Sequence, residues 1–299
     1  MVKPIRILLQ TTIPTTEDDW SIARFSLLHE YLSSLQDAAG NQLCEVVARD
    51  RQVNEDGDDP VLSSLYDSDF DELWLFAVDT GDGITENDCI GISQFRRRGG
   101  GMMVTRDHMD LGSSVCTLAG VGEAHYFHSK NPDPDPSRHC IDDPYTTYIS
   151  WPNYHSGRNG DCQKITPIEP IHELLKNQAS PTGIIQFLPA HPHEGAVGVP
   201  DGNTAARVIA TGLSKTTGRS FNLAVAFEHD RDEEGNLLGR AIAESTFHHF
   251  CDYNWDATLG CPSFVDEPPG DTMQTEPNAL PDLKAYLRNL ALWLAPNKT

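Results

Sequence analysis

Leu73-Trp74-Leu75-Phe76-Ala77-Val78 is an uninterrupted apolar run, and a strand with no polar alternation has to be covered on both faces. That demand excludes a sheet with one wet face here and calls for helices above and below. Ile5-Arg6-Ile7-Leu8-Leu9 and Met102-Met103-Val104-Thr105 are short runs of the same kind, and Cys44 to Ala48 reads as a further strand.

The segments between these runs read as helices. Thr16-Glu17-Asp18-Asp19 has the form of a capping box with an acidic first turn. Trp20, Leu27, Leu28, Tyr31 and Leu35 follow at helical spacing, and Gly40 is the expected stop. Thr85 and Asp88 open a second helix, which closes on Arg96-Arg97-Arg98 and Gly99-Gly100-Gly101. A third is expected from Ser113. Such alternation implies right-handed β-α-β units around a parallel sheet. Ligands of these sheets bind beyond the carboxyl ends of the strands. The loop Asp79-Thr80-Gly81-Asp82-Gly83 and the segment Arg106-Asp107-His108 are therefore expected on one rim.

Residues 129–166 break the pattern. Pro132, Pro134, Pro136, Pro144 and Pro152 interrupt any regular element, while Tyr145, Tyr148, Trp151 and Tyr154 argue for an ordered loop. Beyond it, Gly183 to Leu188, Ala206 to Thr211, Phe221 to Glu228 and Arg240 to Thr246 are strand-like. The last two flank Asp232-Glu233-Glu234-Gly235-Asn236, the turn of an antiparallel hairpin. A Pro-rich acidic stretch from Pro262 to Pro281 precedes a helix with Leu283, Tyr286, Leu287, Leu290 and Leu294 on one face. The domain expectation is a single unit, 1–299, with an inserted loop at 129–166 and an acidic loop and helix at 262–299.

The formal net charge of −22, from 44 acidic and 22 basic residues, repels nucleic acid and anionic membranes alike. No apolar run is long enough to span a bilayer, and Met1 to Leu9 does not read as a signal peptide. The seven cysteines are scattered and never form C-x-x-C, which suits reduced thiols. A cytoplasmic protein with a small-molecule ligand, no nucleic-acid or membrane partner and self-association left open is the expectation.

Four polar clusters are candidates for chemistry. In Arg106-Asp107-His108, Arg106 suits an anionic group, and Asp107 or His108 suits a base; alternatively Asp107 caps the next helix and pairs with Arg106. In His191-Pro192-His193-Glu194, residues two apart face the same way in extended chain, so His191 and His193 can share a metal, with Glu194 as ligand or base. The bland alternative is two loop histidines bonded to backbone. In Ser245-Thr246-Phe247-His248-His249-Phe250, strand alternation sends the two histidines to opposite sides, and His248 is the metal candidate. In Trp151-Pro152-Asn153-Tyr154-His155-Ser156-Gly157-Arg158, the side chains of Trp151, Tyr154, His155 and Arg158 suit a sugar or another polar metabolite. Asp79 and Thr80 join them as substrate-binding candidates.

Three stretches carry a resemblance to the class I glutamine amidotransferase-like superfamily, nearest its ThuA-like (trehalose utilisation) branch. They are Gly99-Gly100-Gly101-Met102-Met103-Val104-Thr105, the run from Leu118 to His128, and Gly183-Ile184-Ile185-Gln186-Phe187 followed by His191-Pro192-His193-Glu194. The resemblance implies a flavodoxin-like three-layer α/β sandwich with a mostly parallel sheet, plus the C-terminal antiparallel hairpin and the long loop insertion. It departs from the glutaminases where they place cysteine, since that position reads Arg106-Asp107-His108, and Cys116 lies too far along to replace it. His-Pro-Glu is split by an extra histidine. Cysteine-based glutamine hydrolysis is therefore not expected, and the ThuA-like likeness implies a sugar-related role.

The leading functional expectation is a cleft protein acting on a small carbohydrate or amide by general acid–base hydrolysis, with Asp107, His108, His191 and Glu194 sharing the proton work. The second is metal-assisted hydrolysis, with zinc as the candidate ion on His191, His193 and His248. The alternative is a non-catalytic binding or scaffold subunit that keeps an amidotransferase-like fold.

Overall fold

Strand β1 (Ile5–Pro14) lies between β2 (Cys44–Arg51) and β3 (Glu72–Phe76), and β3 in turn pairs with β4 (Gly101–Thr105), all in parallel. The structure is a computed structural model and describes residues 3–15, 20–232 and 234–296; the expected capping box at 16–19 lies outside them. Two short antiparallel pairs stand apart from the main sheet. In one, β5 (His125–Tyr126) meets β9 (Ala196–Val197); in the other, β6 (Cys162–Lys164) meets β8 (Phe187–Pro189). The main sheet is completed by β7 (Thr166–Pro167), β10 (Ala206–Leu213), β11 (Ser220–Phe227) and β12 (Ala241–Glu244). Its order is β2-β1-β3-β4-β12-β11-β10-β7. From β2 to β12 every pairing is parallel, and from β12 to β7 every pairing is antiparallel. The hairpin expectation thus meets an antiparallel β11–β12 pair, extended by β10.

Strand alternation divides the core between two faces. Ile7, Leu9, Trp74, Phe76 and Met103 pack on one side with α1 (Ser26–Ser34) and the late helix α5 (Ala279–Leu294). Leu8, Leu73, Leu75, Met102 and Val104 pack on the other with Ile92 and Phe95 of α2 (Glu86–Arg97). The result is a flavodoxin-like three-layer α/β sandwich. Thr85 and Asp88 open α2 as expected and do so as a capping box, and Gly99 follows its end with φ +94°. Leu283, Tyr286, Leu287, Leu290 and Leu294 are all buried. Two further single-turn helices, α3 (Asp252–Trp255) and α4 (Thr272–Thr275), precede α5.

Three expectations are corrected. No α-helix follows Ser113: the chain makes separate 3-10 turns at 113–115, 118–120 and 122–124. Left-handed backbone at Gly112, Ala119 and Gly120 interrupts any longer helix. The strand expected from Gly183 shrinks to β8, because the Asp282 carboxylate takes the N–H groups of Gln186 and Phe187 that a ladder would use. Trp20 precedes α1 rather than joining it, and Gly40 closes the turn after Asp37 instead of the helix. Residues 129–166 all lie within the described part of the chain, and among the described residues no helix is long and apolar enough to cross a membrane.

Candidate functional site

Parallel neighbours β4 and β12 end in register, Thr105 against Glu244, so the segments that follow them leave the sheet side by side. Phe247 N–H donates to the Arg106 carbonyl at 2.9 Å, and the Thr246 hydroxyl donates to Asp107 Oδ1 at 3.0 Å. Thr246 also caps the 3-10 turn Phe247–Phe250, accepting from His248 N–H. A third segment, 191–195, joins them through the Gly195 N–H to the Ser245 carbonyl. Gly195 is required there: an added Cβ would lie 2.6 Å from both the Asp107 carbonyl oxygen and Arg106 Nε.

These three segments bring one carboxylate and two imidazoles together. Ligand atoms of Asp107, His191 and His248 all lie within 4.8 Å of one another, and all three residues are buried. His191 Nε2 is 3.8 Å from Asp107 Oδ1, and His248 Nε2 is 3.4 Å from Asp107 Oδ2. The two rings stack at 3.4 Å with 15° between their planes. Each ring is oriented from behind, His191 Nδ1 by Asn159 Oδ1 at 2.8 Å and His248 Nδ1 by the Tyr253 hydroxyl at 3.0 Å. Both Nε2 atoms and Asp107 Oδ2 have no hydrogen-bond partner among the described residues. His108 stands beside them, Nε2 3.5 Å from Asp107 Oδ2, with neither ring nitrogen bonded.

Burial sets the protonation of this group. It drives the His191 imidazole well below its ordinary pKa, with the nearby His248 and His193 adding to the effect. It lowers His108 to about 4, and lowers His248 despite the pull of Asp107. Burial pushes Asp107 up, but His248 and His108 outweigh it and hold the carboxyl below its usual range. A carboxylate with neutral imidazoles, unspent nitrogens inward and second nitrogens held by protein groups, has the chemistry of a donor set that could hold a metal ion.

The remaining sequence candidates lie elsewhere in the architecture. His193 stands outside this trio: its Nε2 is 2.5 Å from Asp143 Oδ2, and its ring is 5.3 Å from that of His191. Glu194 is saturated by donors, namely Ser156 Oγ and Ser245 Oγ at 2.7 Å, Gln163 Nε2 at 2.5 Å and His249 Nε2 at 3.1 Å. His249 therefore faces away from His248. Burial presses its pKa down, and Glu194 overcomes that to hold it above the ordinary value. Arg106 is spent on backbone: its guanidinium donates to the carbonyls of Tyr126, Ala196 and Met109 and lies 4.3 Å over Phe127. Burial lowers it to about 9. With no long helix after it, the anion-binding corner expected there is not built.

Asp79 organises the turn at 112–114, accepting from Ser114 Oγ at 2.8 Å, and Thr80 is exposed. Trp151 stacks on His139 at 3.7 Å. Tyr154 stacks on Phe221 and donates to the Arg138 carbonyl. His155 pairs with Glu267 at 2.7 Å, and Arg158 pairs with Asp161. These four hold the 129–166 loop in place. Asn159, Tyr253, Asp143 and Thr246 were not anticipated as site residues. Their contacts span from two to 139 positions along the chain, and isolated loop polar residues carry no period to betray them.

No protein-family model matches the chain, and neither does any curated protein. Solved structures of similar shape include a ThuA-like protein from Bacteroides uniformis at 10% identity and TM-score 0.45, covering 98% of this chain and 93% of that one. A ThuA-like protein from Parabacteroides merdae is 15% identical at TM-score 0.38, with coverage of 90% and 96%. The glutaminase domain of Trypanosoma brucei CTPS is 13% identical at TM-score 0.42, with 98% of each chain covered. No chemistry passes from these proteins to this one.

Proposed function

We propose that this chain holds one divalent metal ion, zinc first among candidates, on Asp107, His191 and His248, with His108 beside them, and acts hydrolytically on a small polar metabolite such as a carbohydrate or amide. The observation that carries the reading is the pair of unbonded Nε2 atoms aimed at one carboxylate, each fixed by a partner on its far nitrogen. Mixed imidazole and carboxylate ligands suit zinc, and three protein ligands leave room for water and substrate. A cation held there lowers the pKa of a water and polarises a carbonyl. Asn159 Oδ1 only accepts and so holds His191 in the tautomer that presents a bare Nε2, while the Tyr253 hydroxyl orients the His248 ring and can accept from its Nδ1. Glu194 braces the 191–195 segment and takes no part in proton transfer, since its oxygens are fully engaged. The charge of −22 supports a setting without nucleic-acid or anionic-membrane partners.

The full burial of Asp107, His191 and His248, with His108 only 8% exposed beside them, favours one second reading: a non-catalytic binding subunit in which the same ion is structural and His108 closes the site as a fourth donor. Elemental analysis of tag-free protein, followed by a hydrolase screen, tests both. Equimolar zinc that disappears in His248→Ala is the expected result. A folded protein without stoichiometric metal would sink the metal reading, and zinc without any turnover would favour the structural one.

A further inference from the structure

Asn153 is fully buried, yet among the described residues neither its amide nitrogen nor its amide oxygen has a hydrogen-bond partner. A carboxamide left so costs roughly 1–3 kcal/mol, and such a group in a folded protein calls for an explanation. Its place is well defined by backbone. On one side of it, the Pro152 carbonyl accepts from Met109 N–H, next to His108. On the other, Tyr154 and Glu194 exchange both backbone hydrogen bonds as an antiparallel pair.

Directly opposed residues of such a pair share a face, and their neighbours share the other. Tyr154 and Glu194 turn to the side of Phe221 and Ser245. Asn153 therefore shares its face with His193 and stands opposite Gly195, against whose missing side chain the Asp107 carbonyl packs. His193 on that face packs its ring 5.2 Å from His108 and 5.3 Å from His191. The unspent amide thus belongs to the wall of the metal centre.

We infer that Asn153 is a specificity residue, reading a neutral substrate group that pairs a hydrogen-bond donor with an acceptor: a carboxamide, or two neighbouring hydroxyls of a sugar. For its location beside a metal the inference rests on the reading above. Its chemistry follows from the amide itself, which offers one donor side and one acceptor side and no charge. Neutrality of the ligand agrees with Arg106, the one arginine in these segments, being committed to backbone carbonyls. A site built to bond both atoms rejects analogues lacking either, because the amide is then left unpaired.

The test compares wild type, Asn153→Leu and Asn153→Asp as zinc-loaded proteins, titrated with acetamide in one arm and glucose in the other, by ligand-observed NMR. The leucine variant matches the amide in shape and removes two unbonded polar atoms, so its ligand-free Tm is expected at or above that of wild type. Its zinc content is expected unchanged. Wild type is expected to bind one probe, the arm that responds naming the source of the chemistry, with binding at least about tenfold weaker in Asn153→Leu and intermediate in Asn153→Asp. Equal binding by all three proteins, binding of neither probe by wild type, or loss of zinc in the leucine variant each overturns the inference. If wild type holds no zinc, the metal reading falls, and the same titration on metal-free protein still decides Asn153.

Discussion

Glu244 ends β12 with no solvent exposure. One carboxyl oxygen accepts from the Tyr286 hydroxyl, and the other has no partner. Burial pushes its pKa from 4.5 to about 7; the Tyr286 hydrogen bond and His249 oppose this without cancelling it, and Glu194 adds to it. The folded state therefore favours the protonated acid. Below pH 4.5 the group is protonated in both states and costs nothing. As pH rises from 4.5 to 7 the unfolded chain ionises while the folded protein keeps its proton, at a penalty that grows until the folded group ionises too and then levels off. Each pH unit between the two pKa values is worth about 1.4 kcal/mol, so the full cost is roughly 3 kcal/mol. Glu244→Gln keeps the shape and the acceptor for Tyr286 while removing the titration. Urea unfolding of both proteins at pH 4.5 and pH 8 should show the variant gaining on wild type by roughly 3 kcal/mol between the two. Parallel pH dependences in the two proteins would refute the assignment of that burden to Glu244.

Three further expectations concern the frame of the site. Glu194→Ala orphans four buried donors, Ser156, Ser245, Gln163 and His249, and should cost about 3–5 kcal/mol; a loss below about 1 kcal/mol in urea unfolding would show the network to be slack. Gly195→Ala drives a methyl group against Arg106 and the Asp107 carbonyl, so a loss of about 1–3 kcal/mol together with reduced zinc occupancy is expected, and a variant with unchanged Tm contradicts the close approach. The 261–270 segment places Phe264 over His193 and is tied down by the His155–Glu267 pair, both residues being buried. Glu267→Ala should therefore speed limited proteolysis within that segment, whereas an unaltered cleavage pattern would show the pair to be dispensable.

The parallel half of the fold was legible because its cues are local. The runs at Ile5, Leu73 and Met102, and the Thr85–Asp88 box, need no partner to be recognised. His248 and His249 were separable for a reason that turned out differently in detail: they diverge on a 3-10 turn rather than along a strand. Among the site residues, Asp107, His191 and His248 could be nominated singly, but not their convergence, since Asp107 meets Thr246 across 139 positions. Arg106 and Glu194 have the chemistry expected of functional groups, yet they are consumed by carbonyls and hydroxyls that no sequence pattern announces. The helix expected after Ser113 failed because left-handed Gly112, Ala119 and Gly120 decide that segment, and only the glycines are visible as a warning.

The position of β12 between β4 and β11 bears on how the protein is made. When β4 leaves the ribosome its free edge has no neighbour on that side, and the chain must grow as far as Ala241 before one arrives. At ordinary synthesis rates that delay is on the order of ten seconds. During it, buried-type residues such as Met103 and Val104 border an open strand edge, the arrangement most prone to pairing with another nascent chain. His248 emerges only after β12, so the trio of ligands is completed at the same moment that the edge is closed. Completion of the sheet and assembly of the Asp107, His191 and His248 cluster are thereby one event in the life of each molecule, and a chain stalled before Ala241 has neither.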